Sequence, residues 1–498
     1  LMTNKNEPID ELSTRRERLE LVKNMGLEAY PAKSERTHAM AEVAVQAEKL
    51  IAIGEQVIIN GRVRSLRGHG GSTFAHLEDG SGTFQIYAKK DELGEKKYDD
   101  LIAILDVGDW LQAQGVIFKT KRGEATLLIK DWKLLGKTLR PLPEKWHGLQ
   151  DIEVRFRKRY LDLLMNKDVR ERMILRSRII DSIRATMKKH DFLEVETPTL
   201  QPVYGGGFAK PFKTHHNALD ADFYLRISDE MYLKRLLVGG IERVYEITKV
   251  FRNEGIDHDH NPEFTMFEAQ AAFKDYTWGM DLFEEIFESA ALAVLGATKI
   301  QHGEHNLDVK RPWKRIRVVE AVKTVAGLDA AAWKIVKDAK KAVADKMKNH
   351  PKVKQLDELN TVGEIIAFAF EELVEEKLIA PTLIYDYPVE VSPLAKKGSD
   401  PRFTERFEGF ALGSEIGNNY SELNDPIDLA QRFIAEKEKS EAGFAEAHQT
   451  DLDYLEAIEH GMPPACGFGI GVDRMIMLLT GAENIKEVIL FPTLRPKT

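Results

Sequence analysis

Phe251-Arg252-Asn253-Glu254, followed by His260-Asn261-Pro262-Glu263-Phe264-Thr265, is the stretch on which the fold of this chain turns. Residues 244–252 read as a strand, 253–262 as a loop and 263–273 as the returning strand, which makes an antiparallel hairpin. Side chains alternate faces along a strand. Arg252 and Glu254 share parity, and so do Phe264, Met266, Glu268 and Gln270. One face of the hairpin therefore carries an arginine, an acid and an aromatic ring together. Arginine is a planar, permanently charged donor suited to phosphate. A ring such as Phe264 offers a flat base a stacking partner, and Glu254 can accept a hydrogen bond from an amino group. The bland alternative is a surface ion pair between Arg252 and Glu254.

A second run answers the first about two hundred residues later: Gly467-Phe468-Gly469-Ile470-Gly471-Val472-Asp473-Arg474. It is not the GxGxxG turn of dinucleotide sites. Glycines at every second position leave one strand face bare, so that a flat ligand can press on the backbone. A helix is expected to start near Asp473-Arg474, and helix starts favour anions; residues 488–492 read as a further strand. Between the two runs lies Arg406-Phe407-Glu408-Gly409-Phe410-Ala411-Leu412-Gly413-Ser414-Glu415-Ile416-Gly417-Asn418. Gly413-Ser414 suits a two-residue turn that pairs Leu412 with Glu415 and puts Glu408 on the same face as Glu415. Two acids converging on phosphates suit Mg²⁺, a hard cation that keeps waters; solvated surface acids are the alternative. A bulge at Gly417 would turn Asn418, Tyr420 and Glu422 inward.

In this order the runs resemble motifs 2 and 3 of the class II aminoacyl-tRNA synthetases, and the residues between them resemble the lysyl-tRNA synthetases of class IIb. An amphipathic helix over 171–190, with Ile174, Ile179, Ile180, Ile183 and Met187 at its spacing, leads into 192–198 and resembles motif 1, the dimer element of that class. The resemblance implies an α+β protein: an N-terminal OB-fold five-stranded β-barrel and a class II catalytic domain, a mostly antiparallel sheet flanked by helices. It implies that Arg252 holds the α-phosphate and the substrate carboxylate, and that Glu254, His260, Asn261 and Phe264 hold the rest of ATP. Arg474 would take the γ-phosphate, and Glu408 and Glu415 would bind Mg²⁺, about three ions per site. For L-lysine it implies Gly206, Glu230, Arg252, Glu268, Gln270, Asn418, Tyr420 and Glu422, with Glu230 at the α-ammonium, Glu422 at the ε-ammonium and Asn418 at the carboxylate. Three positions depart from the family pattern: Gln270 replaces a tyrosine, Gly207 an alanine, and Ser228-Asp229 the usual Ala-Pro. An amide oxygen still accepts from an ammonium, so these changes bear on stringency for lysine over ornithine or a modified lysine.

The rest of the chain fits around this core. Its 498 residues suffice for two or three domains. With 43% hydrophobic and 30% charged residues it reads as globular. No apolar run approaches the ~18 residues of a membrane span, and the polar N-terminus shows no signal peptide; Leu1 ahead of Met2 reads as a scar of expression. The single cysteine, Cys466, excludes an internal disulfide and fits a reducing compartment, so a cytoplasmic protein without membrane contact is expected. A net charge of −9 confines nucleic-acid contact to local basic patches. Residues 1–50 read as a helical extension, with Leu12, Leu19, Leu21 and Val22 at helical spacing and Pro31 as a breaker. Five strand-like runs at 57–64, 74–77, 83–87, 110–116 and 125–129 read as a small barrel over 51–143, OB-type or a generic β-domain. Residues 144–165 read as a linker and 166–498 as the catalytic domain, with a helical insertion at about 321–378. In Arg155-Phe156-Arg157-Lys158-Arg159-Tyr160 the sequence allows a solvated helix face or a tRNA-backbone contact.

By resemblance, Arg67, Phe74 and Gln85 read an anticodon base, the ring stacking on it and the polar groups reading its edge; on its own, Phe74 reads as barrel core. The implied partners are tRNA(Lys), ATP, L-lysine and a second copy of the chain as a homodimer. The implied chemistry is attack of the lysine carboxylate on the α-phosphorus with loss of pyrophosphate, then transfer to the tRNA 3′ end. Positioning and electrostatics carry it, and no protein general base is assigned. Glu230 and Glu422 argue against an acidic amino-acid substrate, which would need a cationic pocket. The barrel argues against an acceptor other than tRNA, and the presence of Arg252, Arg474, Glu408 and Glu415 against an inactive binding module.

Overall fold

Apolar residues at every second position from Val57 to Val63 give a strand with one dry face, and four similar strands join it into a closed barrel. The computed structural model describes residues 10–143, 149–207, 209–441 and 451–496, so the expected scar at Leu1 and residues 144–148 of the expected linker lie outside the described residues. The chain divides into two units, Leu1–Gly148 and Leu149–Thr498. In the first, β1 (Gln56–His69), β2 (Ser72–Glu78), β3 (Thr83–Lys89), β4 (Trp110–Lys119) and β5 (Ala125–Gly136) close in the order β1-β2-β3-β5-β4, with only β3–β5 parallel. Val57, Ile59, Ile86, Leu111 and Leu127 point into the core. The helix Met40–Ile53 crosses the boundary expected at residue 50: it buries Met40, Val43, Ala47 and Leu50 against the barrel core and so belongs with the barrel.

The second unit contains β6 (Leu193–Glu194), β7 (Leu200–Gln201), β8 (Lys213–His216), β9 (Ala221–Leu225), β10 (Arg243–Phe251), β11 (Glu263–Ala272), β12 (Lys299–His302), β13 (His305–Asp308), β14 (Lys314–Arg317), β15 (Thr382–Tyr385), β16 (Arg406–Ala411), β17 (Ser414–Ser421) and β18 (Ala465–Gly471). Eight of them form one sheet, ordered β14-β15-β16-β17-β18-β11-β10-β6, parallel only at its two outer pairs. The helices Lys167–Lys189, Tyr276–Leu295 and Val472–Thr480 contribute to one core with this sheet, in which Ile183, Phe267, Phe283, Phe287, Phe468 and Ile476 are buried. On the first of these helices Ile179, Ile183 and Met187 are buried as expected, whereas Ile174 is 49% exposed. The expected insertion contains the helices Val336–Lys346 and Val362–Leu373, whose Val343, Ile365 and Phe370 share a separate core with Phe410 of β16.

Three expectations need correction. The turn of the β16–β17 hairpin is Leu412-Gly413, not Gly413-Ser414, because Ala411 pairs with Ser414 and both turn residues adopt positive φ. The bulge falls at Ile416 instead of Gly417: Phe410 pairs with Glu415 and Gly409 with Gly417. Its effect is the expected one, since the extra residue puts Asn418 and Tyr420 on the face that carries Glu408. Residues 488–492 are not a strand; the carbonyls of Ile489 and Leu490 are met by Arg159 and that of Val488 by Arg176, instead of by a neighbouring strand. Arg159, 1% exposed, donates from Nε to Leu490 O (3.0 Å) and from Nη2 to Lys486 O (2.6 Å). The basic run 155–160 belongs to the helices Ile152–Arg157 and Arg159–Met165; Arg159 is buried, and Arg155 and Arg159 both pair with buried Asp162, whereas Lys158 and Tyr160 are exposed. The expected linker is thus helical from residue 152.

Candidate active site

The face of the sheet formed by β16, β17, β18 and β11 opens into a cleft of about 390 Å³. All fifteen residues expected around ATP and lysine line it, from Gly206 and Glu230 through the β10–β11 hairpin to Arg474. Register explains why. In β11, Phe264, Met266, Glu268 and Gln270 alternate toward the cleft, and β18 lies antiparallel beside it, with Gln270 opposite Gly467 and Glu268 opposite Gly469. β17 flanks β18 on the other side, with Tyr420 opposite Gly467 and Asn418 opposite Gly469.

At one end the groups are suited to phosphate. Arg252 leaves β10 where its guanidinium lies over the Phe264 ring, 5.2 Å from the centroid. Its Nε is buried without a partner among the described residues. Burial pulls the Arg252 pKa down, and Glu268, Glu415 and Glu254 oppose that shift. Arg474 sits in the first turn of the helix Val472–Thr480 and donates to Glu415 O (2.6 Å) and to His260 Nε2 (3.2 Å). His260 Nδ1 meets Asp257 at 2.9 Å, so the tautomer protonated at Nδ1 satisfies both contacts. Asp473, beside Arg474, is buried, accepts from Thr265 N (2.7 Å) and pairs with Arg176, which locks the helix start to β11. Both ends of the Asn261 amide are committed to backbone, Nδ2 to Glu263 O (2.6 Å) and Oδ1 from Thr493 N (3.1 Å). Its side chain braces the hairpin loop. Glu254 is exposed at the rim.

Glu408 and Glu415 both face this end. Burial raises the Glu408 pKa, the charge of Glu415 adds to the rise, and the paired Arg406 opposes it. Glu375, from the insertion, is pushed up to about 8 by burial and by Glu408 and Glu415. Sequence gave no signal for Glu375, since only folding brings the insertion beside the hairpin. Among the described residues no group of three or more His, Cys, Asp or Glu is arranged as a metal cage. Two carboxylates beside an open cleft are nevertheless a fitting set for Mg²⁺, which binds through one or two carboxylates and completes its shell with waters and phosphate oxygens.

At the other end the groups are suited to amines. Glu230, Glu268 and Glu422 face the cleft. Burial first, and then the charge of Glu230, push Glu268 and Glu422 each up to about 7. The Gln270 Oε1 is buried with no donor among the described residues. Tyr420 donates its hydroxyl to Glu230, and Asn418 Oδ1 accepts from Arg406 Nε (3.1 Å), which leaves the Asn418 amide NH₂ as a donor. Sequence reasoning missed Lys234. Its Nζ is buried between Glu230 and Glu422, 2.5 Å from Glu422 Oε2 and 5.2 Å over the Tyr420 ring. Burial opposes the Lys234 charge, but the two acids prevail and raise its pKa well above the ordinary value. The spacing of Lys234 four residues after Glu230 on one helix was the available signal. Gly206 adopts φ +83°, and a Cβ there would lie 2.7 Å from Ser228 Oγ, so only glycine brings its backbone to this wall; at Gly207 the nearest atom is 3.9 Å away.

The bare strand face read from the glycine run is only partly bare. A Cβ on Gly469 or Gly471 would meet nothing closer than 3.7 Å, whereas one on Gly467 would lie 2.1 Å from Glu422 Oε1 and 2.2 Å from Gln270 Nε2. Gly467 is thus the floor on which two side chains rest, and the other two glycines are the open face.

On the barrel, Phe74 is outward, not core: Ala75 and Leu77 of the same strand point in. Phe74 stacks on Tyr87 (4.3 Å between centroids), and Arg67 lies opposite Phe74 across β1–β2. Gln85 shares the outer face with Tyr87, accepts from Thr126 Oγ1 (2.7 Å) and donates to Glu124 (3.1 Å). Tyr87 was legible, two positions after Gln85 on the same strand, and was not singled out.

The family model for class II tRNA synthetases (D, K and N) matches residues 151–495, and that for the OB-fold nucleic acid binding domain matches residues 57–135. A lysine--tRNA ligase of Pelotomaculum thermopropionicum is 49% identical over 496 residues, covering 99% of this chain and 96% of that protein. One from Carboxydothermus hydrogenoformans is 49% identical over 491 residues, covering 98% of each. One from Bacillus subtilis is 47% identical over 500 residues, covering 99% of each.

Proposed function

The chain belongs to the lysine--tRNA ligases of class II, and on that premise we propose that it activates L-lysine with ATP and transfers it to the 3′ end of tRNA(Lys). The observation that carries the lysine assignment is the amine end of the cleft, where three buried or half-buried acids and the orphaned Gln270 oxygen meet and, among the described residues, one ammonium, Lys234, pairs with two of the acids, Glu230 and Glu422. A buried carboxylate needs a cationic partner. A dicationic amino acid supplies two, and no acidic or apolar amino acid supplies more than one.

In this reading the substrate carboxylate lies between Arg252 and the Asn418 amide, its ammonium groups reach Glu230, Glu268 and Glu422, and Gln270 accepts beside Glu422. Adenine lies on Phe264 with its amino group toward Glu254. Arg252 holds the α-phosphate, and Arg474 with His260 the outer phosphates. The lysine carboxylate oxygen attacks the α-phosphorus. The new P–O bond forms as the bond to the β-phosphate breaks, and pyrophosphate leaves. The guanidinium of Arg252, recessed from water and in no ion pair among the described residues, offsets the charge that builds on the α-phosphate oxygens. A tRNA 3′-terminal hydroxyl then attacks the aminoacyl carbon and AMP departs. Glu408 and Glu415 would hold Mg²⁺, about three ions per site in this reading, which would supply Lewis-acid shielding of the phosphates. Arg67, Phe74 and Gln85 on the outer barrel face read the anticodon, with Tyr87 behind Phe74.

Exposed Ile174, Leu193 and Leu200 on and beside the motif 1 element support a homodimer. Among the described residues no helix is long and apolar enough to cross a membrane, and buried, unpaired Cys466 together with the family supports a cytoplasmic setting. The reading is tested by thermal stabilisation. Lysine with ATP should raise the melting temperature more than either alone, and ornithine with ATP should raise it less. Equal shifts for all amino acids would refute it.

A further inference from the structure

Asp229 is fully buried at the start of the helix Glu230–Val238, and its carboxyl is not used to cap it. As a carboxylate it would be an anomaly, because neither of its oxygens has a donor among the described residues. Arg226, the cation whose charge acts on it, is already spent. Arg226 donates from Nε to Lys249 O (2.9 Å) and from Nη1 to Glu246 Oε1 (2.7 Å), and its Nη2 is on Thr248. Glu246 is satisfied in turn by Arg226 and by Thr197 N (3.0 Å) and Oγ1 (2.7 Å). What lies against the Asp229 carboxyl is another acceptor, Glu268. One proton between the two carboxyls removes both difficulties. Asp229 then has a partner, and Glu268 gains a donor.

Ser228 works from the same side. Its Oγ is 2.8 and 2.9 Å from the two Glu268 oxygens and accepts from Glu230 N (3.1 Å), which leaves its hydroxyl proton for Glu268. We propose that protonated Asp229 and Ser228 together donate to Glu268 and hold its carboxylate, ionised, as the receptor for a substrate ammonium; Asp229 is a positioning residue. The proposal rests on the lysine ligase reading.

The surrounding charges agree. Burial first and the charge of Glu268 second raise the Asp229 pKa well above the carboxylate range, with Glu246 adding and Arg226 opposing. Glu268 is held at about 7 because the Asp229 and Ser228 hydrogen bonds and Arg252 pull down against burial and Glu230. Lys234 pairs with Glu230, whose charge acts on Glu268. Losing the Asp229 donor removes one downward pull, so Glu268 would hold its proton to higher pH and receive an ammonium less well near neutrality.

The test is the pH profile of the KM for lysine in ATP–pyrophosphate exchange, from about pH 6 to about pH 9, for wild type, Asp229→Asn and Asp229→Ala, with kcat and melting temperature alongside. Asparagine keeps a neutral donor where protonated Asp229 had one. The expected result is a D229N profile within about twofold of wild type. For D229A the fall in KM should move up by about one pH unit, which is about tenfold in KM at the acid end, with kcat at saturating lysine unchanged. Ser228→Ala should move the profile in the same direction, and it tests the idea if D229A does not fold. D229N behaving as D229A, or profiles of all variants coinciding, would overturn the proposal. Wild type without lysine-dependent exchange would instead overturn the ligase reading on which it rests.

Discussion

Gly467→Ala isolates the amino-acid end of the cleft with the smallest change available, one methyl group. Gly467 lies in β18 between Gln270 of β11 and Tyr420 of β17, in extended backbone that alanine adopts without strain. The new Cβ would lie 2.1 Å from Glu422 Oε1 and 2.2 Å from Gln270 Nε2, where ordinary contact needs about 3.4 Å or more. Both side chains are buried, at 1% and 3% exposure, so each must retreat by more than about 1 Å into packed surroundings. An ammonium placed for the original Glu422 oxygen then loses one charge-assisted hydrogen bond, which costs about 1.5–3 kcal/mol. That is a rise of about 10- to 150-fold in the KM for lysine, since each 1.36 kcal/mol is tenfold. The KM for ATP should change little, because Gly467 does not approach Arg252, Phe264 or Arg474. Steady-state ATP–pyrophosphate exchange, varying lysine and ATP separately on protein whose melting temperature is checked, measures both. A lysine KM within twofold of wild type on folded protein would refute the argument that Glu422 and Gln270 form the ammonium site.

Three further outcomes follow from the same geometry. Because Glu268 and Glu422 are each pushed up to about 7 and accept an ammonium only when ionised, the KM for lysine should fall as pH rises through about 7 and level off above about 8. A flat profile between pH 6 and 8 would count against the acids as ammonium receptors. Arg252→Lys keeps the charge but loses the planar fork, and should lower kcat for pyrophosphate exchange by about 100- to 1000-fold with little change in melting temperature. Phe74→Ala removes an outward ring, so it should raise the KM for tRNA in charging by about 5- to 150-fold, from about 1–3 kcal/mol of stacking, while lysine-dependent pyrophosphate exchange stays at wild-type rate.

The parts of this molecule that were legible in its sequence are those whose periodicity and chemistry agree over several residues. The β10–β11 hairpin fell within one residue of its expected limits because Arg252, Phe264, Glu268 and Gln270 must share parity on paired strands. The barrel strands were legible for the same reason. What failed was single-residue register and anything that depends on a distant partner. The β16–β17 turn was displaced by one residue because Leu412 tolerates positive φ where a glycine was expected to begin the turn. The apolar run at 488–492 looks like a strand, yet carbonyls of it are claimed by Arg159 and Arg176, more than three hundred residues earlier in the chain. The run containing Arg159 read as a surface, and Lys158 and Tyr160 are exposed, but that pairing takes Arg159 itself inside. Lys234 and Asp229 were hidden for a related reason. On a short helix both look solvated; the spacing offers Lys234 its pairing with Glu230, but its contact with Glu422 and the burial of Asp229 depend on segments distant in the chain.

The measurement that tests the central claim most directly is ATP–pyrophosphate exchange with each amino acid in turn, followed by charging of tRNA(Lys) under the same conditions. Exchange that depends on lysine, with lysyl-tRNA as the product, is the result predicted by a cleft whose acids outnumber its resident ammonium and by a barrel that carries an outward stacking face. Exchange only with a different amine, or lysine-dependent exchange with no lysyl-tRNA formed, would contradict it.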